Sequence, residues 1–371
     1  MGGIYAGGLS HVTLQFEGTL VFSDNETAWP RYPGGAVFEC FYMERLNNVT
    51  FTSTHQGLID GNGRRWWGLV KYVLIGENRP RLLHVYNSTN LLVEKLFFKN
   101  SPYWTTWFED IRDLEIRRAT VALNLLTVDN KTYHPLSDIA AFNTDGFDVA
   151  GANVWIHDCT IWNDDDCIAV KESNGDSYQS KCSENMLFER INASGVGLTI
   201  GSIGANVAHT CVRNITFRNC VMPNSFKGLY LKSRPEPEGD GEISDILYEN
   251  ITINSATQWA IWIGPQQASY QGACNLFWPF VPGVECDVPS NMDWNNLTFR
   301  NITVNSPWLS PGVIIGNETN PMQNIVFDGV VVNNPGKFPW GNAYYDCQGV
   351  KGGVASGGTD PIPPCFSSSI P

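Results

Sequence analysis

Apolar and polar residues alternate along much of the chain in short runs. Residues 12–22 read Val-Thr-Leu-Gln-Phe-Glu-Gly-Thr-Leu-Val-Phe, and a period of two residues is typical of a half-buried β-strand. Similar runs recur as far as residues 324–327, and no helical period interrupts them. The pattern therefore predicts an all-β chain.

A short repeat indicates how these strands are arranged. Asn-Ile-Thr or Asn-Leu-Thr, followed by Phe, Ile or Val, begins at Asn214, Asn250, Asn296 and Asn301, and we expect each Asn to lie in the turn just before a strand. Self-similarity of this kind marks a solenoid. An antiparallel sandwich would also give many short strands, but it favours hairpin dipeptides that are scarce here. We predict a single-stranded right-handed parallel β-helix, a β-solenoid whose coils stack about 4.8 Å apart.

Composition limits the class of protein. The 371 residues are 43% hydrophobic and 16% charged, and no stretch approaches the roughly 20 apolar residues of a membrane span. Because no linker or change of composition divides the chain, we predict one domain over residues 1–371, acting as a monomer. The net charge of −13 argues against binding nucleic acid, and an acidic polymer would bind only where cations gather locally.

The ten cysteines lack the paired spacing of zinc sites, so they favour disulfides. Close spacing suggests the pairs Cys274–Cys286, Cys347–Cys365 and Cys211–Cys220. The last two cysteines can also be two buried thiols on adjacent strands. Cys40 and Cys159 are left unpaired.

Asn-x-Ser/Thr acceptors, together with the cysteines, favour an extracellular, secreted glycoprotein. The first residues, Met-Gly-Gly-Ile-Tyr-Ala, lack a charged region followed by an apolar one, so we expect the natural precursor to begin further upstream. The acceptor asparagines are Asn25, Asn48, Asn87, Asn130, Asn192, Asn214, Asn250, Asn296, Asn301 and Asn317.

Four aspartates, Asp145 and Asp164–Asp166, stand beside apolar residues that would fix them to a rigid core. Like charges held close together shift each other's pKa values apart, so that a neutral acid can coexist with an ionised base. Such a pair can cleave a glycosidic bond. A solvated acidic turn or a calcium loop would show the same residues. Alternation would turn Asp166 away from Asp165 unless the strand bends, which we expect in a run of three acids.

The ordered motifs from about residue 12 to 345 resemble glycoside hydrolase family twenty-eight, the pectin-degrading polygalacturonase family. Residues 143–146 match Asn-Thr-Asp-Gly, and residues 163–169 match Asn-x-Asp-Asp-Cys-x-Ala. The resemblance implies Asp165 as general acid, Asp145 and Asp166 as the carboxylates that activate water, and inversion at the anomeric carbon. It also implies a pectic polysaccharide substrate, no metal or other cofactor, and a disulfide between Cys167 and Cys182.

Two departures from the family pattern concern substrate recognition. Val196 stands where the family has histidine. Residues 230–232 align with a family segment that reads Arg-Ile-Lys, so that Tyr230 replaces the arginine while Lys232 keeps the lysine. If the strand continues, Arg234 shares a face with Tyr230 and Lys232 and can restore a grip on a carboxylate. We predict substrate contacts for these three residues and for Asn143, Trp262 and Gln267.

Three alternative functions stay open. The departures also fit a rhamnogalacturonan hydrolase or an exo-acting member of the same family. In a β-helix lyase, the acids would bind calcium, and Lys232 or Arg234 would abstract a proton. The third alternative is a catalytically inactive pectin-binding protein.

Overall fold

The computed structural model describes residues 2–68, 76–123, 126–128, 131–133, 141–173, 176–204, 208–234, 239–267, 274–286 and 288–368. The acceptor Asn130 lies outside them. The chain forms two compact units: unit 1 comprises Met1–Ala169, Ser177–Ser180 and Phe188–Val196, and unit 2 comprises Val170–Asp176, Lys181–Leu187 and Gly197–Pro371. The described residues include the short 3₁₀ helices Gly63–Arg65 and Gly341–Ala343, and none of their helices has the length and apolar character to cross a membrane.

Unit 1 is built from parallel strands, each of which pairs with its counterpart in the next coil. Among the described strands, the antiparallel pair formed by Leu126–Val128 and Lys131–Tyr133 is an exception. The strands of unit 1 are β1 (Ile4–Gly7), β2 (Ser10–Gln15), β3 (Thr19–Val21), β4 (Phe41–Glu44), β5 (Asn47–Thr52), β6 (Gly57–Asp60), β7 (Leu83–Glu94), β8 (Leu96–Lys99), β9 (Thr106–Arg117), β10 (Thr120–Ala122), β11 (Leu126–Val128), β12 (Lys131–Tyr133) and β13 (Phe147–Trp162). Strands β14 (Ile168–Val170) and β15 (Ser183–Ser194) contain residues of both units.

Aliphatic side chains stack in register through unit 1. Val49 pairs with Leu91, Leu91 with Leu114, and Leu114 with Val154, and all four are buried. Burying a side chain of this size stabilises the fold by about 1.5–3 kcal/mol. The alternation seen in the sequence therefore arises from one side chain per coil entering a continuous core.

Unit 2 repeats this architecture with an aromatic column. Phe217, Tyr248, Phe299 and Phe327 are in register on successive strands, and their ring centroids are 4.8, 5.4 and 5.1 Å apart. The strands are β16 (Leu198–Ile203), β17 (His209–Met222), β18 (Leu229–Ser233), β19 (Asp240–Asn254), β20 (Ile261–Pro265), β21 (Met292–Asn305), β22 (Gly312–Ile315), β23 (Met322–Asn333), β24 (Tyr345–Gln348), β25 (Val350–Lys351), β26 (Val354–Ser356) and β27 (Ser367–Ser368).

The repeated asparagines turn the chain inside long strands, so the prediction that each precedes a strand was wrong in its detail. Asn214, Asn250 and Asn301 lie within β17, β19 and β21 with φ of 54°, 54° and 51°, the left-handed region that Asn tolerates. Side-chain amides are bonded from coil to coil: Asn301 Nδ2 donates to Asn250 Oδ1 at 3.1 Å, and Asn214 Nδ2 donates to Asn185 Oδ1 at 2.7 Å.

Three disulfides overturn two of the pairings suggested by the sequence and confirm two others. Cys182 bonds to Cys211 across 4.8 Å between Cα atoms, so the predicted Cys167–Cys182 bond and the considered Cys211–Cys220 bond were wrong. Cys182 directly precedes β15, and β15 pairs with β17, which contains Cys211. A neighbouring coil thus brings the two Cα atoms within bridging distance. The bonds Cys274–Cys286 and Cys347–Cys365 are confirmed.

We expect the double substitution Cys182→Ala/Cys211→Ala to lower the free energy of unfolding by about 3 kcal/mol, because the bond closes a loop of 29 residues. Denaturant unfolding measures the loss, with Cys220→Ala as a control outside the three disulfides. A non-reducing peptide map that joined Cys182 to Cys167 would contradict the assignment.

Candidate active site

Three carboxylates meet in unit 1. Each of Asp145, Asp165 and Asp166 offers one oxygen, and these oxygens lie within 4.8 Å of one another. Asp145 and Asp166 are 3% and 1% exposed, while Asp165 is half-buried. Like charges at this distance repel strongly in a buried setting.

Adjacent rungs bring these residues together. The N–H of Gly146 donates to the carbonyl of Asp166 at 2.8 Å, and that of Phe147 donates to the carbonyl of Cys167 at 3.1 Å. The three consecutive acids lie in a bend between β13 and β14, so strand alternation does not turn Asp166 away from Asp165. Asp164 is buried and lies outside the three-oxygen cluster.

Backbone donors fix the carboxyl group of Asp165. Its Oδ2 accepts from the N–H of Asn143 and its Oδ1 from the N–H of Asp166, both at 2.8 Å. Asn143 presents its N–H from a left-handed conformation with φ of 56°. These donors favour the carboxylate form of Asp165, and the two neighbouring acids favour its protonated form. The two N–H groups thus hold the carboxyl group of Asp165 in one orientation beside Asp145 and Asp166.

Asn163 ties the rungs together, a role that we did not assign from the sequence. Its side chain is 1% exposed, and its Nδ2 donates to the carbonyls of Thr144 at 3.0 Å and Asp166 at 2.8 Å. One amide thus joins Asp166 to the residue that precedes Asp145. The matched motif contained Asn163, but only coordinates show where its two N–H groups point.

A close approach of the backbone behind the acid requires glycine at position 195. A Cβ there would lie 2.3 Å from Asn163 Oδ1, 2.6 Å from the carbonyl oxygen of Asp165 and 2.8 Å from Cys167 Sγ. The next residue, Val196, donates its N–H to the same Asp165 carbonyl at 2.7 Å. At the position where the family has histidine, the chain thus contacts the acid through its backbone.

Sequence reasoning also missed Tyr103, whose hydroxyl is affected by the charge of Asp145, and the cation Arg79 beside its ring. Arg79 donates to the carbonyl of Phe142 at 2.9 Å, and its guanidinium carbon lies 5.0 Å from the ring centroid of Tyr103. Burial and the negative charges of Glu77 and Asp145 raise the pKa of Tyr103 well above its ordinary value. Neither Arg79 nor Tyr103 occurs at a spacing that signals a site.

Unit 2 gathers four of the six predicted binding residues into a local group. The Nζ of Lys232 lies 4.3 Å from the ring centroid of Tyr230, whose ring centroid is 6.0 Å from that of Trp262. The hydroxyl of Tyr230 accepts from the N–H of Gln267 at 3.0 Å. A fifth predicted residue, Arg234, lies one residue beyond β18, where its side chain is exposed while those of Tyr230 and Lys232 are buried. The face that the sequence predicted for Tyr230, Lys232 and Arg234 therefore does not extend to Arg234, because the strand ends before it.

The same geometry bears on metal binding and stereochemistry. Three carboxylate oxygens within 4.8 Å are suitable ligands for a hard divalent cation, but such a cluster is equally typical of acid/base chemistry. The spacing is shorter than the roughly 6.5–9.5 Å between the carboxyl groups of most inverting glycosidases. It therefore gives no support to the predicted inversion.

Comparison with known proteins identifies relatives. The family model described as Glycosyl hydrolases family 28 matches residues 4–356. Endopolygalacturonase I of Aspergillus niger is 29% identical over 253 residues, and a probable endopolygalacturonase A of Neosartorya fischeri is 27% identical over 253 residues. Each match covers 68% of this chain and 59% of the relative, so the chain matches less than two thirds of the length of these relatives.

Solved structures share the fold. A polygalacturonase from Erwinia carotovora ssp. carotovora superposes with a TM-score of 0.69 at 20% identity, covering 94% of this chain and 85% of that one. Endopolygalacturonase I from Stereum purpureum, complexed with two galacturonate, gives 0.65 at 19% identity over 99% and 91% of the chains. The predicted all-β, right-handed parallel β-helix is confirmed. Since the family model spans residues 4–356, this chain belongs to glycosyl hydrolases family 28.

Proposed function

We propose that this protein is a pectin-degrading, polygalacturonase-like hydrolase that cleaves α-glycosidic bonds in polymers containing galacturonic acid. The observation that supports this most directly is the meeting of Asp145, Asp165 and Asp166 on adjacent rungs, with their oxygens within 4.8 Å. The relatives, which are named endopolygalacturonases, support the same class of substrate.

In the proposed reaction, Asp165 donates its proton to the glycosidic oxygen as the bond to the anomeric carbon breaks. Asp145 and Asp166 take a proton from a water molecule whose oxygen attacks that carbon. One proton leaves the cluster and one enters it, so the net change is the addition of water. The N–H groups of Asn143 and Asp166, each 2.8 Å from an Asp165 oxygen, hold the acid in place through both steps.

Recognition of the polymer needs local cations, because the chain as a whole carries a net charge of −13 and galacturonate is an anion. We assign the buried ammonium of Lys232 to a sugar carboxylate. We also assign substrate contacts to the exposed Arg234, to Tyr230 and Asn143, and to Trp262 and Gln267, which lie around Tyr230 or hydrogen-bond to it.

We keep inversion as the proposed stereochemistry, on the strength of the family resemblance. Proton NMR of the first product formed from an oligogalacturonate tests it directly. A product with the retained anomeric configuration would show that Asp145 or Asp166 acts as a nucleophile and forms a covalent intermediate.

The decisive experiment is product analysis on galacturonan, rhamnogalacturonan and xylogalacturonan in parallel. We expect new reducing ends from galacturonan and no ultraviolet-absorbing unsaturated product, with activity unchanged in chelator. Loss of activity in chelator, or an unsaturated product, would identify a calcium-dependent lyase. If no polymer yields reducing ends at any acidic pH, the protein is a binding protein. The chain lengths of the products assign exo or endo action.

The setting of this activity is also a proposal. Three disulfides support an extracellular, secreted protein, since such bonds persist in oxidising compartments. We further propose that the chain acts as one catalytic domain, as a monomer and without a cofactor. Sedimentation of the purified protein, with activity measured on the same fractions, tests the monomer.

A further inference from the structure

Four ring-bearing side chains lie in register on one face of unit 1. Tyr5 pairs with Tyr42, Tyr42 with His84, and His84 with Trp107, on the strands β1, β4, β7 and β9. Adjacent ring centroids are 5.9, 5.1 and 6.4 Å apart. The residues on either side of the last three rings are buried, so these rings point away from the core. We call this row of four rings the aromatic face.

The aromatic face continues toward the candidate active site. Trp107 pairs with Asp148 of β13, three residues beyond Asp145 in the chain. The N–H of Thr105, two residues before Trp107, donates to the carbonyl of Asp145 at 2.7 Å. The rung of Trp107 is therefore next to that of Asp145, and Tyr5 lies three rungs further along the stack.

This spacing suits a polysaccharide that follows the stack away from the acids. Rungs of a sheet are about 4.8 Å apart, which is close to the length of one sugar residue. Each sugar would thus meet one ring. Aromatic side chains offer apolar area with a polar edge, which matches a sugar ring with its C–H groups and hydroxyls.

Glutamates occupy the polar atoms of the four rings. Both tyrosine hydroxyls donate to Glu44, at 2.7 and 3.2 Å. The indole N–H of Trp107 donates to Glu109 at 3.0 Å, and His84 Nε2 lies 2.9 Å from the same carboxylate. Glu44 and Glu109 each stand two residues after a ring on the same strand, so their carboxylates share the aromatic face.

Arginines near this face are already engaged by glutamates. Arg45 Nη2 lies 2.5 Å from Glu44 Oε1, and Arg81 Nη1 lies 2.5 Å from Glu39 Oε1. The carboxylate of a bound sugar would have to compete with these glutamates for the guanidinium groups. The aromatic face therefore differs from a site built to hold an anion.

Glu109 makes the face unfavourable for an anionic sugar. Burial opposes ionisation of this carboxyl group, but the hydrogen bonds from His84 and Trp107 outweigh it and lower the pKa of Glu109. A second carboxylate beside it would meet a like charge, and contacts of this kind select against a ligand. An uncharged sugar can instead donate its hydroxyls to the same carboxylate.

We infer that the aromatic face binds uncharged sugar residues of the polysaccharide, beyond the galacturonate at the cleavage site, and that Glu109 makes this face reject galacturonate. Glu109 is thus a specificity-determining residue. This inference rests on the proposed function, because it concerns a further part of the same polymer. Methyl-esterified galacturonate and a neutral sugar such as rhamnose would both supply an uncharged residue.

The test measures binding and does not depend on turnover. Octamers of galacturonate, of partly methyl-esterified galacturonate and of rhamnogalacturonan are titrated calorimetrically into Asp165→Asn protein, with and without Glu109→Gln. We expect Glu109→Gln to tighten binding of the free acid about tenfold at low ionic strength, the effect of one charged interaction. Binding of the other two octamers should change less than threefold. Whichever of these two binds more tightly to the protein that retains Glu109 identifies the source of the uncharged sugar.

Glu94→Gln is the matched control, because Glu94 is a half-buried glutamate at the far end of β7 that pairs with Arg117 at 2.8 Å. Equal effects of the two glutamine variants would overturn the inference. So would tighter binding of the free acid than of both other octamers to the protein that retains Glu109.

Tyr5→Ala tests how far the face extends, without risk to the core, since this side chain is 58% exposed. We expect it to weaken binding of the preferred octamer about threefold and to leave binding of the corresponding trimer unchanged, because a trimer at the acids ends before the rung of Tyr5. Equal effects on octamer and trimer, or no effect on either, would overturn the placement.

The two proposals fail separately. A protein that hydrolyses galacturonan but shows none of these binding differences would refute this inference alone. A protein that shows the differences but has no hydrolase activity would refute the proposed function alone.

Discussion

Asp165→Asn is expected to lower kcat about a thousandfold or more, while the protein stays folded. The amide has the shape of the carboxyl group but no proton to donate, and general acid catalysis contributes about 10²–10⁴-fold to rate. One of the two backbone N–H groups that face Asp165 would then meet an NH₂ group, so a modest loss of stability accompanies the change. Reducing-end assays on galacturonan give kcat, and thermal unfolding reports the fold.

Asp164→Asn is the matched control for this prediction. Asp164 is buried in the same bend, but its carboxyl group lies outside the cluster of three oxygens. We expect it to keep kcat within about tenfold of wild type. If Asp165→Asn kept more than a tenth of wild-type activity, or if Asp164→Asn were the more damaging substitution, the acid would be another residue.

Sequence predicted the coils well because their signal is local and repeated. Apolar residues at every second position mark each strand. One buried residue per coil then gives stacks such as Val49, Leu91, Leu114 and Val154. The asparagine positions were predicted less well. A single left-handed residue such as Asn214 turns the chain without ending its pairing, so the polar residue that seemed to precede a strand lies within it.

Some residues of the candidate site could likewise be predicted from the sequence, and others could not. Motif spacing brought Asp145 and Asp165 to adjacent rungs, because 20 residues approximate one coil. It could not identify the partner of Cys182, since residues 29 positions apart are also one coil apart. Nor could it find the contact between the rings of Tyr230 and Trp262, which lie on β18 and β20. Contacts made across coils leave no periodic trace in the sequence.

Substitution of Asn163 by alanine is the second change for which we expect a large effect. The carbonyl of Thr144 would lose the 3.0 Å bond from Nδ2 and that of Asp166 the 2.8 Å bond, which together cost about 2–3 kcal/mol in a buried site. Because the amide sets the distance between the rungs of Asp145 and Asp166, we expect kcat to fall about a hundredfold. Thermal unfolding and reducing-end assays measure the two effects.

Asn153→Ala separates the loss of a hydrogen bond from the loss of geometry. Its amide donates to Asp113 Oδ1 at 2.8 Å on the exposed side of unit 1, so we expect little change in kcat. A drop in melting temperature with normal kcat for Asn163→Ala would show that Asn163 serves the fold alone.

The double variant Asn163→Ala/Asp165→Asn then tests whether Asn163 acts through the acid. A residue that positions the carboxylates matters only while Asp165 can donate a proton, so the double variant should be little slower than Asp165→Asn alone. Full multiplication of the two rate losses would mean that Asn163 contributes to catalysis independently of proton donation. In that case it would act through the water-activating pair, since its Nδ2 holds the backbone of Asp166 and of the residue before Asp145.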